Sequence, residues 1–410
     1  MKQNVNSSNI HDYATKGNGD KSISNNKDNL EKKQACKKDK SQKRILKIIT
    51  EVCRIVLSST FLFSGFAKAN DPLGTMYKLG DYVAAMLPIS LPDTFLLSCG
   101  ILLAASEFMI GIYLLFAIKR DVTARITVAF MGIMTLFTTY IFIANPVADC
   151  GCFGDVIVLS NGATLAKNII LLSAAFFLAK HYRLQSQIVN SSMKWLIALL
   201  SMCAIIGYAV YCTICLPVFD FRPFKVGTDI QKGLNTAEQE YEVKIVYKRG
   251  KETLELSAED DDPDKSWKYV ETRRIPVGGK RAIVDISILD NDGNDVTEDI
   301  VSTTGINFLL IIPNLRNADE GCVNRVNDLY DYALKNKYGF YCLTASTDKK
   351  DQAYWNEHTG AEYGYFFCDD RVLKTVVRAQ PGLVMLKDGI IVAKWSNFNL
   401  PDEEDLLLHM

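Results

Sequence analysis

Two cysteines separated by one glycine, Cys150-Gly151-Cys152, stand in the string ADCGCFGD at 148–155. With so short a spacing the two Cα atoms can come within disulfide range, and Gly151 relieves the backbone. So small a ring is strained and easily reduced, which suits thiol–disulfide exchange. A plainer explanation stands beside it: small residues packing a tight Gly-rich loop. Cys212 and Cys215 form a second pair, C-T-I-C, and three residues apart on a helix they share a face. At the same membrane surface the four cysteines would make a relay. Cysteine is also an ordinary small apolar residue in apolar helices, as Cys53, Cys99 and Cys203 read, and for Cys212 and Cys215 packing is the better-supported reading. Cys322 stands alone in DEGCVNR, so no dithiol cycle is available around it, and Cys342 and Cys368 fall inside strand patterns as core residues. The four histidines are too scattered to form a ligand cluster, and no C-x-x-C-H or paired C-x-x-C spacing is present, so no metal site and no bound cofactor is evident.

The elements that carry these cysteines are strongly segregated. Of 410 residues, 48% are hydrophobic, and the net charge of −1 conceals a basic N-terminus: residues 1–47 hold twelve Lys/Arg against five Asp/Glu. Residues 1–44 are polar and rich in Asn, Ser and Lys, and read as a disordered cytoplasmic tail. Five apolar stretches approach the roughly 20 residues that cross a bilayer: about 46–67, 93–117, 126–144, 164–180 and 195–216. The first is expected to stay attached as a signal anchor. Lys119, Arg120 and Arg125 lie between the second and third stretches, and Lys180, Arg183 and Lys194 between the fourth and fifth. Both loops therefore join the tail inside, and the loop 145–163, which has no basic residue, falls outside. Five spans leave the C-terminus outside, in the periplasm of a bacterial inner-membrane protein. A purely soluble protein is excluded, and nothing points to nucleic acid.

Charged residues inside these stretches are costly, roughly 3 kcal/mol each near the bilayer centre unless paired. Glu107 lies deep in the second stretch, and Glu51 and Arg54 lie in the first. Helical rise places Arg54 and Glu107 at similar depths, which predicts an ion pair between them. A proton or quinone site at Glu107 is the functional competitor.

Beyond residue 217 the composition becomes that of an ordinary soluble protein. Alternating segments at 241–256 and 281–297 predict strands and hairpins in a β-rich linker over 217–304. From 305 to 410 the pattern reads strand 306–313, helix near 320–336, strand 339–346, helix near 350–359, strand 363–368 and helix 370–378. Two strands turning at Lys387-Asp388-Gly389 follow, then a helix after Pro401. That order, β-α-β-α-β-α-β-β-α, is the order of a thioredoxin fold.

Three strings in the membrane half, SSTFLFSGFAKANDP (58–72), SEFMIGIYLLF (106–116) and ADCGCFGD (148–155), resemble the DoxX family and specifically its MauE (methylamine-utilisation) branch. The resemblance implies a four-helix membrane domain over 45–180, to which 195–216 adds a fifth helix. The string AQPGLVMLKDGIIVAKW (379–395) resembles thioredoxin-like proteins, with Pro381 where that family carries its cis-proline, in a domain over 305–410 that lacks C-x-x-C. MauE-type proteins are implicated in maturing a disulfide-rich partner. The expected function is therefore a membrane thiol-redox or protein-maturation module, with Cys150 and Cys152 as its redox pair. Cys212 and Cys215 are weaker candidates, a periplasmic protein thiol or disulfide is the partner, and a membrane quinone is a candidate acceptor. The alternative is a non-enzymatic, membrane-anchored envelope protein whose thioredoxin-like domain binds a partner.

Overall fold

The computed structural model describes residues 16–86, 89, 91–144, 151–157, 159–187, 189–235, 241–249, 252–257, 267–276 and 286–410. Helix α1 runs unbroken over Lys16–Asn70, α2 over Pro72–Met86, α3 over Asp93–Leu115, α4 over Arg120–Ala144, α5 over Asn161–Lys180 and α6 over Ser191–Cys215. Four of these are long and apolar enough to cross a membrane: Asp93–Leu115, Arg120–Ala144, Asn161–Lys180 and Ser192–Cys215. Each matches an expected stretch to within a few residues at its ends, while 46–67 forms part of the 55-residue α1. Where the sequence suggests a disordered tail, the structure carries α1 back to Lys16; residues 1–15 lie outside the described residues. Leu30-Glu31-Lys32-Lys33-Gln34-Ala35 are good helix formers, and extending an existing helix avoids the cost of nucleation. The short α2 was not expected; Pro72 opens it at the one helical position where proline's missing N–H costs nothing.

The chain divides into two compact units. The first takes in Met1–Phe63, Ser106–Cys150 and Ser160–Met202. Leu57, Phe61, Leu114, Met131, Leu171, Ala175 and Leu178 form its core. Ile133, Leu136, Ile143 and Ile170 remain exposed, as side chains facing lipid would be. Close approach of α1 and α3 depends on Gly111, where an added Cβ would lie 2.8 Å from the Leu62 backbone nitrogen. The Ser58 hydroxyl donates to the Gly111 carbonyl at the same crossing, 2.9 Å away.

In this unit the expected Glu107–Arg54 pair is replaced. Arg54 Nη2 meets Glu51 Oε2 at 2.6 Å, and its Nη1 donates to the carbonyls of Leu114 and Leu115 at 3.1 and 2.7 Å. The reason is local: Glu51 lies three residues back on the same face, and the last turn of α3 offers carbonyls with no partner within the helix, at the end where its dipole attracts cations. Glu51 in turn accepts from the Ser186 backbone N–H at 2.5 Å. Glu107 is buried, one turn before Gly111 on the face of α3 that meets α1.

The second unit takes in Ser64–Ala105, Gly151–Leu159 and Cys203–Met410. Its soluble part holds α7 (Ile230–Asn235), the antiparallel strands β1 (Tyr241–Arg249), β2 (Glu252–Ser257) and β3 (Lys268–Pro276), and α8 (Thr297–Val301). Then follow β4 (Ile306–Ile311), α9 (Val323–Asn336), β5 (Gly339–Thr344), α10 (Lys349–Thr359), β6 (Tyr365–Phe367), α11 (Asp370–Val376), β7 (Gly382–Lys387), β8 (Ile390–Ser396) and α12 (Glu403–Leu407). This is the expected element order. The five-stranded sheet runs β6-β5-β4-β7-β8, its first three strands parallel and β7 and β8 antiparallel to their neighbours. The Gln380–Pro381 bond is cis, as expected. Asp402 caps α12 in a reciprocal capping box with Asp405, which accounts for the acidic run after Pro401.

Two parts of the segment expected as a linker, 224–230 and 286–301, pack into this domain, while β1–β3 form a sheet of their own. Phe224, Ile230, Ile286, Ile288, Ile300 and Val301 share one core with Leu309, Ile311, Val384 and Leu386. Residues 227–230 bond to the outer edge of β8, and Leu289 exchanges two 2.8 Å backbone hydrogen bonds with Phe367 on β6. Each edge of the sheet is thereby partly covered, which leaves fewer of the unpaired strand groups that invite aggregation. The expected hairpin at 281–297 is seen from residue 286, where Asp290 accepts from the backbone N–H groups of Asp292 and Asn294; residues 281–285 lie outside the described residues.

Candidate functional site

The loop that carries Cys152 is held by charged groups from both ends of the second unit. Gly151 and Gly154 both adopt positive φ, +57° and +58°, in a turn closed by Gly154 N–H donating to the Gly151 carbonyl at 3.0 Å. Any side chain at 151 would also collide with Lys78, whose Cδ would lie 2.5 Å from its Cβ. These are positions only glycine fills without strain. Cys152 is buried, and its carbonyl accepts two hydrogen bonds, from Ser64 Oγ and from Lys68 Nζ, both at 2.7 Å. Cys150 lies outside the described residues, so the expected pair is described from its second member only.

Three residues beyond Cys152, Asp155 reaches a buried arginine. Arg378 Nη2 lies 3.0 Å from Asp155 Oδ2 and 2.9 Å from Asp71 Oδ2, and Arg378 Nε donates to both Asp71 oxygens. A further Arg378 nitrogen donates to the Lys374 carbonyl. Lys78 Nζ approaches the other side of Asp155 at 3.5 Å. The Tyr77 ring lies beneath two cations, Arg378 at 5.5 Å and Lys374 at 4.9 Å from its centroid. Beside this cluster Asp220 holds Arg222 at 2.8 Å and Lys394 at 2.9 Å.

The electrostatics follow from burial opposed by pairing. Burial raises the Asp71 carboxyl, but Arg378 and Arg222 together outweigh it and hold Asp71 below the usual carboxylate range. Asp220 is likewise raised by burial and brought below its ordinary value by Arg222 and Lys394. Burial pushes Tyr77 up to about 12. It also lowers the Lys394 ammonium to about 8, against the pull of Asp220.

None of Asp71, Asp155, Lys78 or Arg378 was picked out from the sequence. The carboxylates nevertheless stand inside the strings 58–72 and 148–155, and Arg378 immediately precedes Ala379-Gln380-Pro381. A signal was present in the abrupt charge at the ends of apolar runs, but its partner lay 307 residues away.

The other cysteines are placed as follows. Cys212 is buried and Cys215 half-buried at the end of α6, and the two are not bonded to each other. One turn before Cys212, the Tyr208 hydroxyl donates to Asn70 Oδ1 at 2.8 Å, and Asn70 Nδ2 donates to the Phe219 carbonyl. Both cysteine regions thus attach to the last two turns of α1. Cys322 caps the start of α9, half-buried, its sulfur 3.5 Å from the Asp319 carbonyl. Burial and the Asp319 carboxylate raise its thiol to about 11. Burial raises Cys342 well above the thiol range and Cys368 to about 12. Among the described residues no three His, Cys, Asp or Glu side chains are gathered so as to hold a metal ion.

No curated protein and no solved structure matches the chain. The segment that holds Ser64, Lys68, Asp71, Lys78 and the Cys152 loop does have a match: residues 46–181, with their apolar helices, match the family described as methylamine utilisation protein MauE.

Proposed function

We propose that the protein is a thiol-redox or protein-maturation module of a bacterial inner membrane, in which Cys150 and Cys152 exchange a disulfide with a protein partner at the outer face. In the oxidising direction the partner's two thiols become a disulfide, and the loop disulfide takes their two electrons and two protons. A membrane quinone then accepts both from the loop and leaves as quinol. The observation that carries this reading is the anchoring of the loop: Cys152 is held through its backbone by Ser64 and Lys68 while Asp155, three residues on, is clamped by Arg378. The MauE match over 46–181 supports it further.

In this reading residues 46–67 also cross the bilayer, giving five spans with the N-terminus cytoplasmic and the α/β domain outside. The loop charges support that orientation. An alkaline phosphatase fusion after residue 410 is then active and one within 181–194 inactive; the reverse would overturn the topology. The α/β domain is thioredoxin-like in element order and serves to bind the partner and not to oxidise it, a division favoured by the raised thiol of Cys322. Thiol trapping in intact cells tests the central step. Cys150 and Cys152 should shift between blocked and alkylated forms as external reductant and oxidant are applied. A loop fixed in one state would leave the anchored binding protein as the function.

A further inference from the structure

Helix α6 ends at Cys215, and the chain then folds back along it. Leu216 turns with a positive φ of 74°, and three residues later Phe219 is tied to the end of α1: its N–H donates to Asn70 Oδ1 at 3.1 Å and its carbonyl accepts from Asn70 Nδ2 at 2.7 Å. Asn70 Oδ1 also takes the Tyr208 hydroxyl, so Phe219 is held near the level of Tyr208 and not beyond the helix end. The rings agree: Phe66 stacks on Tyr208 at 5.4 Å and meets Phe219 at 6.0 Å. Tyr208 stands 17 residues beyond Ser191, the start of α6, which is about 25 Å of helix, whereas Cys215 stands at about 36 Å. A hydrocarbon core of about 30 Å that begins with this span therefore ends between the two.

At that height the side chains of the segment sort by alternation. Asp220 and Arg222 turn inward and bond to each other at 2.8 Å, while Phe219 and Phe221 turn outward with their rings 6.2 Å apart. Val218, Phe219 and Phe221 are 52%, 50% and 47% exposed, and Tyr211 on the adjoining turns of α6 is exposed as well. Aromatic and apolar side chains gathered where water gives way to lipid are the pattern of an interfacial anchor.

We propose that residues 216–221 form a strap lying in the bilayer interface, with Val218, Phe219 and Phe221 seated at the boundary between lipid headgroups and acyl chains. The partner is the lipid surface itself. The inference needs only that α6 crosses the membrane, and it stands whether or not the loop cysteines cycle. The inward face of the strap carries the anchoring to the α/β domain: Asp220 holds Lys394 of β8 at 2.9 Å, and Arg222 donates to the Thr375 carbonyl of α11 at 3.3 Å. Ser396, at the end of β8, donates to the Ile214 carbonyl of α6 at 2.7 Å. Lipid on one face and the charged base of the domain on the other fix the height of β8 above the membrane.

The test uses the full-length protein in phosphatidylcholine vesicles, with the photoreactive p-benzoyl-phenylalanine replacing Phe221, Val218, Ile133 or Leu408 one at a time. Illumination is followed by intact mass and peptide mapping of adducts. Ile133, exposed on α4, gives the yield of a side chain in lipid. Leu408 gives the background: it is 81% exposed but lies two residues from Met410, whose carbonyl takes Lys387 at the end of β7, whereas Ser396 pairs with Gly382 at the start of that strand. Position 221 should yield phosphatidylcholine adduct at least fivefold above position 408 and within threefold of position 133. A smaller yield would overturn the inference. So would a cross-link from 221 to a second copy of the chain or to the chain's own residues in place of lipid, since the patch would then be covered by protein. If the variant at 221 does not fold, position 218 decides by the same criteria.

Discussion

Cys152 is buried and Cys322 half-buried, and both sit in the unit that contains the α/β domain. Their polar surroundings differ. Cys152 is tied through its carbonyl to the ammonium of Lys68, whereas Cys322 lies beside Asp319, whose carboxylate adds to burial in raising the thiol to about 11. Cys342 and Cys368 are raised by burial as well. The thiols of the α/β domain are thus raised by burial, and at Cys322 by a carboxylate as well. The Cys152 loop is distinguished instead by the side chains that grip its backbone, Ser64 and Lys68.

The most severe way to break this contrast is to remove the loop sulfurs. Cys150→Ser and Cys152→Ser should each abolish disulfide cycling, scored by thiol trapping, at unchanged expression, while Cys322→Ser leaves it intact. If Cys322→Ser is the damaging change, the roles are reversed. Next in size is reactivity: with its thiol at about 11, Cys322 should alkylate at pH 8 about a hundredfold more slowly than an unperturbed cysteine. Iodoacetamide labelling followed by peptide mass analysis measures it. Arg378→Ala then asks whether the clamp is needed to hold the loop. It strands Asp71 and Asp155 without their shared cation and should cost about 3–5 kcal/mol, as loss of one partner from a buried pair does. Thermal unfolding would read this, and Arg378→Lys should recover only part, since a point charge cannot fork to two carboxylates. The smallest effect is at Lys394. Its ammonium is lowered to about 8 in the folded protein against about 10.4 unfolded, so between these values the unfolded chain binds the extra proton. Stability from this group accordingly rises as pH increases from about 8 toward 10, and Lys394→Met should remove that slope.

Much of the architecture was legible, and the failures have physical causes. Apolar β-branched runs such as Ile306–Ile311 announce strands directly, and Asp402 with Asp405 marks a helix start, so the α/β element order could be read locally. Residues 224–230 could not be read as core, because Phe224 and Ile230 are isolated apolar residues whose partners are supplied only by the completed sheet. Arg54 was misassigned for the opposite reason. A depth argument favours Glu107, while the nearer Glu51, three residues back, has the shorter path, and the carbonyls of Leu114 and Leu115 take the rest of the guanidinium. The loop cysteines were visible as a pattern. Their anchors were not, because Lys68 reads as an ordinary charge at a helix end until its carbonyl acceptor 84 residues on is in place.

The arginine that bridges Asp71 and Asp155 also sets an order of events during synthesis. Arg378 is made 307 residues after Asp71 and 223 after Asp155. At roughly 5–20 residues per second, the first carboxylate waits about 15–60 s for its cation. By the end of that interval α1–α6 and the cysteine loop have been made, with Ser64, Lys68 and Lys78 already present beside the loop and Arg378 still to come. The last part of the chain therefore closes a site whose other parts were laid down first. A ribosome that stalled before residue 378 would leave behind a segment complete in its long helices, with a cysteine loop that lacks its arginine.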